Sequence, residues 1–196
     1  MSKPTPKILA WHFLAADGRQ RVYLPNGGTR PGKLVNVGQV SACCPPLILC
    51  KHGLHASVCI LDALQYAPGP VCCRVEMSGT IQEGQDKLCS TRRRVLAMAD
   101  IATILHEFAC DCAEGALKIA EVEDPRSWAA LEAKRRWLRG EITDEELDAA
   151  WDAAWVAVRS TVRSAVREAA WVAARSAQNS DLERRVLAAT TESEGE

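Results

Sequence analysis

Apolar and polar positions alternate from Val71 to Met77 (VCCRVEM), which places Val71, Cys73, Val75 and Met77 on one face and Cys72, Arg74 and Glu76 on the other. A period of two marks a half-buried strand, because successive strand side chains point to opposite faces. Ile8 to Leu14 (ILAWHFL) and Arg21 to Leu24 are also strand-like, and the second ends at the turn PNGG, residues 25–28, where Asn and Gly tolerate positive φ. Lys33 to Val37 and Pro46 to Cys50 are further strand candidates, and two short strands near Gln85 to Leu96 complete a sheet. Between them, Gly53 breaks the chain and Ser57 is placed to cap a helix over Val58 to Ala67, which Pro68-Gly69-Pro70 ends. Along Arg92, Arg93 and Arg94 the strand period puts Arg92 and Arg94 on one face and Arg93 on the other.

From Ala97 the period lengthens. Ile101, Ile104, Leu105, Phe108, Cys112 and Ile119 recur at three- and four-residue spacings, the stripe of an amphipathic helix. Asp124-Pro125 is a cap followed by a first-turn proline, Gly140 stops that helix, and Thr143-Asp144-Glu145-Glu146 is a capping box for the next. Residues 149–177 contain no Gly or Pro, and their Trp151, Trp155, Val158, Val162 and Val166 make a stripe that predicts one long Ala/Trp-rich helix. Trp151 and Trp155 lie four apart on one face, whereas Trp171 falls on the far side, so a single packing partner cannot cover all three. A homodimer or a foreign protein docked on this helix is therefore expected. The pattern predicts an α+β protein: a small, mainly antiparallel twisted sheet with one short helix, packed on a helical C-terminal half. The expected division is a strand-rich domain at 1–96, helices at 97–140, and a helical extension at 141–196 with an acidic tail.

Composition adds two constraints. Nine cysteines are an odd number in a chain of 196 residues whose start, MSKPTPK, leads into no apolar signal core, so reduced thiols and a cytoplasmic protein are expected. The longest uncharged run, Leu34 to Cys50, contains Asn36, Gly38, Gln39 and a Pro45-Pro46 pair and is no membrane span. Residues 1–95 hold 12 Lys/Arg against 5 Asp/Glu and residues 96–196 hold 12 against 20, so a basic half precedes an acidic one. A basic half suits an anionic partner. Arg92, Arg93 and Arg94 with Lys87 would be its nucleic-acid face, but only part of that run can line one surface, and aromatic residues for base stacking are scarce, with Tyr23 and Tyr66 the only tyrosines.

Candidate chemistry concentrates in CKHGLHAS, residues 50–57. Cys43, Cys44, Cys50, His52, His55 and Cys59 are zinc-type ligands, yet the spacings match no standard finger, and no metal is expected. Cys50 and His52 lie two apart, the reach of a thiolate and its base, but nothing marks an orienting third group. Gly53 permits a reversal, His55 fixes the turn and Ser57 starts a helix, which accounts for most of the stretch structurally.

The order of AWHFL with His12, GLHAS, DALQYA and VCCRVEMSG resembles the ADP-ribosyltransferase fold. That resemblance implies that His12 holds the nicotinamide ribose of NAD, that His55 stands where an aromatic stacks on nicotinamide, and that the catalytic acid is Glu83 or Asp86. A longer string, GLHASVCILDALQYAPGPVCCRVEMSGTI with DKLCSTRRRVL and LHEFACDCAEGAL, looks like an uncharacterised family of phage and prophage genomes. This second resemblance implies an accessory protein in the host cytoplasm that needs no cofactor and acts by protein–protein interaction on a host or defence factor, through Trp151, Trp155, Trp171, Arg92 and Arg94. The alternative is a diverged ADP-ribosyltransferase-like enzyme or nucleotide-binding protein using His12, His55 and Asp86.

Overall fold

The structure is a computed structural model that describes residues 7–24, 28–158 and 168–192. Seven strands, β1 (Ile8–Leu14), β2 (Arg19–Tyr23), β3 (Thr29–Leu34), β4 (Val40–Ala42), β5 (Leu54–Ala56), β6 (Val71–Glu83) and β7 (Leu88–Asp100), are interrupted by the short helix α1 (Ile60–Leu64). Four helices come after them: α2 (Ala102–Ile119), α3 (Pro125–Leu138), α4 (Asp144–Val158) and α5 (Glu168–Glu192). The chain is α+β, as its periodicities predict. It divides into two compact units, one made of Met1–Ala102 with Asn179–Glu196 and the other of Thr103–Gln178.

The strand-rich unit is built on a long β6–β7 hairpin, with β1 on the free edge of β6 and both β4 and β5 on β7, all antiparallel. Just beyond β5, Ser57 bonds back to β1: Trp11 N–H donates to the Ser57 carbonyl at 2.8 Å and Ser57 N–H to the Trp11 carbonyl at 3.0 Å. The pairing therefore runs in a closed circuit, β1 to β6 to β7 to β5 and back to β1. Closure needs bending, and the β6–β7 ladder supplies it with irregularities at Arg74/Val75, where β7 carries the extra residue, and at Ser78/Ile81, where β6 does. Gly79 sits in the second at φ +81°, where an added Cβ would stand 2.2 Å from Thr91 Oγ1. That hydroxyl accepts a hydrogen bond from Thr80 N–H, which satisfies an amide that the bulge takes out of the ladder.

The alternation read from Val71 to Met77 is present: Val71, Cys73, Val75 and Met77 join Ala10, Leu14, Val35, Ala56, Leu88 and Val95 in one apolar core. Cross-strand partners share a face. His12 opposes Cys73 and Arg93 opposes Met77, so both polar side chains are carried by the core-facing rows of their strands. None of the nine cysteines forms a disulfide.

Several boundaries differ from the expected ones. The expected pair of short strands near Gln85 to Leu96 is one strand of 13 residues, because the chain turns at 84–87 and the β6–β7 irregularities bend the hairpin without ending it. The helix expected over Val58 to Ala67 is only Ile60–Leu64, and its N-cap is Cys59 rather than Ser57, whose backbone is committed to β1. In place of a cap side chain on that turn, the Asn179 side-chain oxygen of α5 accepts from Leu61 N–H at 3.3 Å and from the Cys59 thiol at 2.8 Å. Pro46 to Cys50 is a turn with one bridge, Ile48 to His52. The end of α5 is fastened further by Trp11 Nε1–H donating to Glu183 at 3.2 Å, and Leu182 and Val186 are wholly buried.

In the helical unit the caps read from the sequence are in place. Asp124 accepts from Arg126 N–H ahead of Pro125. Thr143 and Glu146 exchange bonds reciprocally, Thr143 N–H to the Glu146 carboxylate at 2.9 Å and Glu146 N–H to the Thr143 hydroxyl at 3.3 Å. Arg135 ties α3 to α2 by pairing with Asp111 at 3.0 Å and Glu114 at 2.5 Å. Of the expected apolar stripe, Phe108 is buried but Ile119 is 79% exposed at the end of α2. The expected unbroken helix over 149–177 includes 159–167, which lie outside the described residues. Among the described residues, no helix is long and apolar enough to cross a membrane.

Candidate functional site

Within the strand-rich unit lies a cavity of about 390 Å³ whose lining includes Trp11, His12 and Phe13 of β1, Arg21 of β2, Cys50, His55 of β5, Tyr66 after α1, Lys87 just before β7, and Arg93 within it. Such a volume is in the usual range for a small-molecule site. The closed strand circuit explains the convergence: Trp11 pairs with both Arg74 and Ser57, so β1 and the segment just beyond β5 form adjoining walls, while β7 pairs with β5.

His55 accepts a hydrogen bond at Nε2 from Cys50 N–H at 3.0 Å, so its ring proton resides on Nδ1. Cys50 holds φ +67° in that turn. His55 is held below the usual histidine range, first by burial and then by Lys87 and Arg93, against the opposing effect of a backbone hydrogen bond with Gly53. The first histidine of the stretch, His52, is turned away to the Cys44 carbonyl at 2.7 Å, where its Nε2 must donate. CKHGLHAS thus divides its labour: His52 ties the loop and His55 faces the cavity.

His12 retains some surface as a residue, but its Nε2 is sealed from solvent and has no hydrogen-bond partner among the described residues. Burial, then the positive charge of Arg93 and the neighbouring His55, holds it well below the usual range, so the ring is neutral at physiological pH. Arg93 is only 4% exposed. Its Nη1 donates to the His55 backbone carbonyl at 2.8 Å, and burial pushes the guanidinium down to about 10. Lys87 Nζ lies 3.9 Å from the centre of the Tyr66 ring, and the Tyr66 hydroxyl donates to Asp86. Among the described residues no Asp or Glu appears in the lining, and the cavity is edged by Arg21, Lys87 and Arg93 with two neutral histidines.

The structure therefore brings His12 and His55 together and leaves Asp86 one step back, behind Tyr66. Asp86 and Glu83 line a neighbouring depression with Asp62 and Glu183. Arg92 and Arg94 are exposed on the outer face of β7, as the strand period predicts, and neither lines the cavity. Trp151 on α4 is 52% exposed. Trp155 and Trp171 fall within α4 and α5, but their side chains lie outside the described residues. The sequence pattern did not place Arg93, Tyr66 or Lys87 in this pocket: Lys87 and the arginines were expected on a nucleic-acid face, and Tyr66 counted only as a scarce stacking aromatic. The signal for Arg93 was available, since its alternation with exposed Arg92 and Arg94 placed it inward. No group of three or more His, Cys, Asp or Glu among the described residues could hold a metal ion.

No curated protein and no solved structure matches the chain. Residues 36–107 match a family described as a domain of unknown function (DUF7666), a span that carries β4 to β7 with His55, Tyr66, Lys87 and Arg93 but does not include β1 and His12.

Proposed function

We propose that the strand-rich unit binds a nucleotide in the cavity between β1, β5 and β7, with His12 and His55 contacting it. The observation that carries this reading is the meeting, in one cavity of ligand size, of both histidines with aromatic Phe13 and Tyr66 and with three cations, no carboxylate among the described residues joining them in the lining. The resemblance to ADP-ribosyltransferases makes NAD the first ligand to try, with His12 at the ribose and His55 beside the nicotinamide. Cleaving a glycosidic bond of that kind develops positive charge at the sugar, which a nearby carboxylate would stabilise. The lining provides cations instead, and Asp86 is occupied by the Tyr66 hydroxyl, so the reading favours binding over transfer. The test is calorimetric titration of the protein with NAD, beside a His12→Ala variant. Binding that His12→Ala weakens supports the reading, and no NAD binding at millimolar concentration removes it.

A second reading rests on a different surface. Trp151 exposes about half of a large apolar ring on α4, which favours a protein partner, either a host or defence factor or a second copy of the chain. Trp151→Ser should abolish concentration-dependent association in sedimentation without lowering helix content. A native protein that stays monomeric, and captures no partner that Trp151→Ser loses, would end it.

A further inference from the structure

Arg93 is an anomaly on the core face of β7. Its neighbours there are Val95 two residues on, Met77 opposite in β6 and Ser41 opposite in β4, and a charged group is costly in such a setting unless it is paired. A guanidinium carries five N–H donors, yet among the described residues the side chain of Arg93 has a single hydrogen bond, to a neutral carbonyl. Among the described residues no carboxylate pairs with it, and none lines the cavity it borders. A structural arginine at such a position would be enclosed by acceptors. His12 lines the same cavity, although its Nε2 is itself sealed from solvent. Arg93, its donors largely unused, forms with Lys87 and Arg21 around that cavity a preorganised receptor for negative charge.

We propose that Arg93 is the anion anchor of the cavity, its guanidinium taking two oxygens of a phosphate or carboxylate on a small ligand while His12 contacts the same ligand. The inference rests on the cavity being the ligand site, as in the reading above, but not on the ligand being a nucleotide. The planar fork suits bidentate recognition of either oxyanion, and the buried setting strengthens it relative to an exposed lysine.

Two matched pairs of probes test this at low ionic strength: AMP against adenosine for phosphate, and nicotinate against nicotinamide for carboxylate. The native protein should prefer the charged member of at least one pair by about tenfold or more, the worth of a hydrogen bond to a charged group. Arg93→Met should erase that preference while leaving residual affinity for the neutral member. If AMP and adenosine bind equally and nicotinate shows no advantage over nicotinamide, the anchor is overturned while nucleotide binding stands. If nicotinate alone binds, the anchor stands as a carboxylate receptor and the nucleotide reading falls. Failure of all four probes overturns both. Should Arg93→Met not fold, Arg93→Lys decides, since it keeps the charge but loses the fork: a several-fold smaller preference supports the anchor, and an unchanged one overturns it.

Discussion

Replacing Arg93 by Met should leave the fold as stable as before or make it more stable. Burial brings Arg93 from 12.5 to about 10, and each tenfold change in proton affinity is worth about 1.4 kcal/mol, so holding the charge in the folded state costs about 3 kcal/mol. The sign comes from linkage: a cation whose proton affinity is lower when folded weakens the fold wherever it is charged in both states. The penalty is therefore complete below about pH 10, and so at neutral pH. Against it stands the bond from Nη1 to the His55 carbonyl, whose loss leaves a partly buried acceptor unsatisfied at about 1–3 kcal/mol. Met keeps most of the apolar stem that packs beside Met77 and Val95. The balance is a change between about zero and 2 kcal/mol in favour of the variant. Urea unfolding at pH 7, monitored by circular dichroism and fitted by linear extrapolation, measures it. A loss of more than about 2 kcal/mol would refute the reasoning, because it would mean that Arg93 holds the strands together and is not kept for a ligand.

Acid should weaken the strand-rich unit before its carboxylates titrate. His12 and His55 are both neutral and held below the usual value when folded but take up a proton near pH 6.5 when unfolded, so their contribution is complete above about 6.5 and is lost as pH falls below it. A His12→Gln variant should flatten stability against pH across that window, and an unchanged profile would exclude His12 as a source of the effect. Leu182→Ala should cost about 2–5 kcal/mol, as expected for a wholly buried leucine, and should open the strand-rich unit to limited proteolysis even though residue 182 is distant from it in sequence. Indifference of that unit to the substitution would show that Leu182 is not part of its core.

What the sequence disclosed was whatever depended on near neighbours. The two-residue period of Val71 to Met77, the Asp124 cap and the Thr143–Glu146 exchange are local physics, and each is present. The cavity was only half legible. His12 and His55 stood out as rare residues in an ordered series of strand and turn, but Tyr66, Lys87 and Arg93 reach the same space only because the β6–β7 hairpin and the Trp11–Ser57 bridge fold distant segments together. The strand period set Arg93 on the face opposite Arg92 and Arg94, but a buried arginine is ordinarily paired, and nothing local in the sequence marked it as bordering a cavity. The assignment of Asn179–Glu196 to the strand-rich unit left almost no trace. Leu182 and Val186 are a two-member apolar stripe in the polar stretch NSDLERRVL, eclipsed by the Ala/Trp pattern before it.

That discontinuous unit has a consequence for synthesis. Domains generally fold as units during translation, at about 5–20 residues per second. The strands up to Asp100 leave the ribosome first, and residues 103–178 must be added before Asn179, Leu182, Glu183 and Val186 can reach the unit they belong to. At those rates the nascent strands wait roughly 4–15 s. Through that interval the indole of Trp11 lacks Glu183, and the first turn of α1 lacks Asn179. Since Trp11 also walls the cavity, the site is finished only when the last helix arrives. A growing chain should therefore be unable to bind the proposed anionic ligand, and chaperones would find their target in the unfinished sheet.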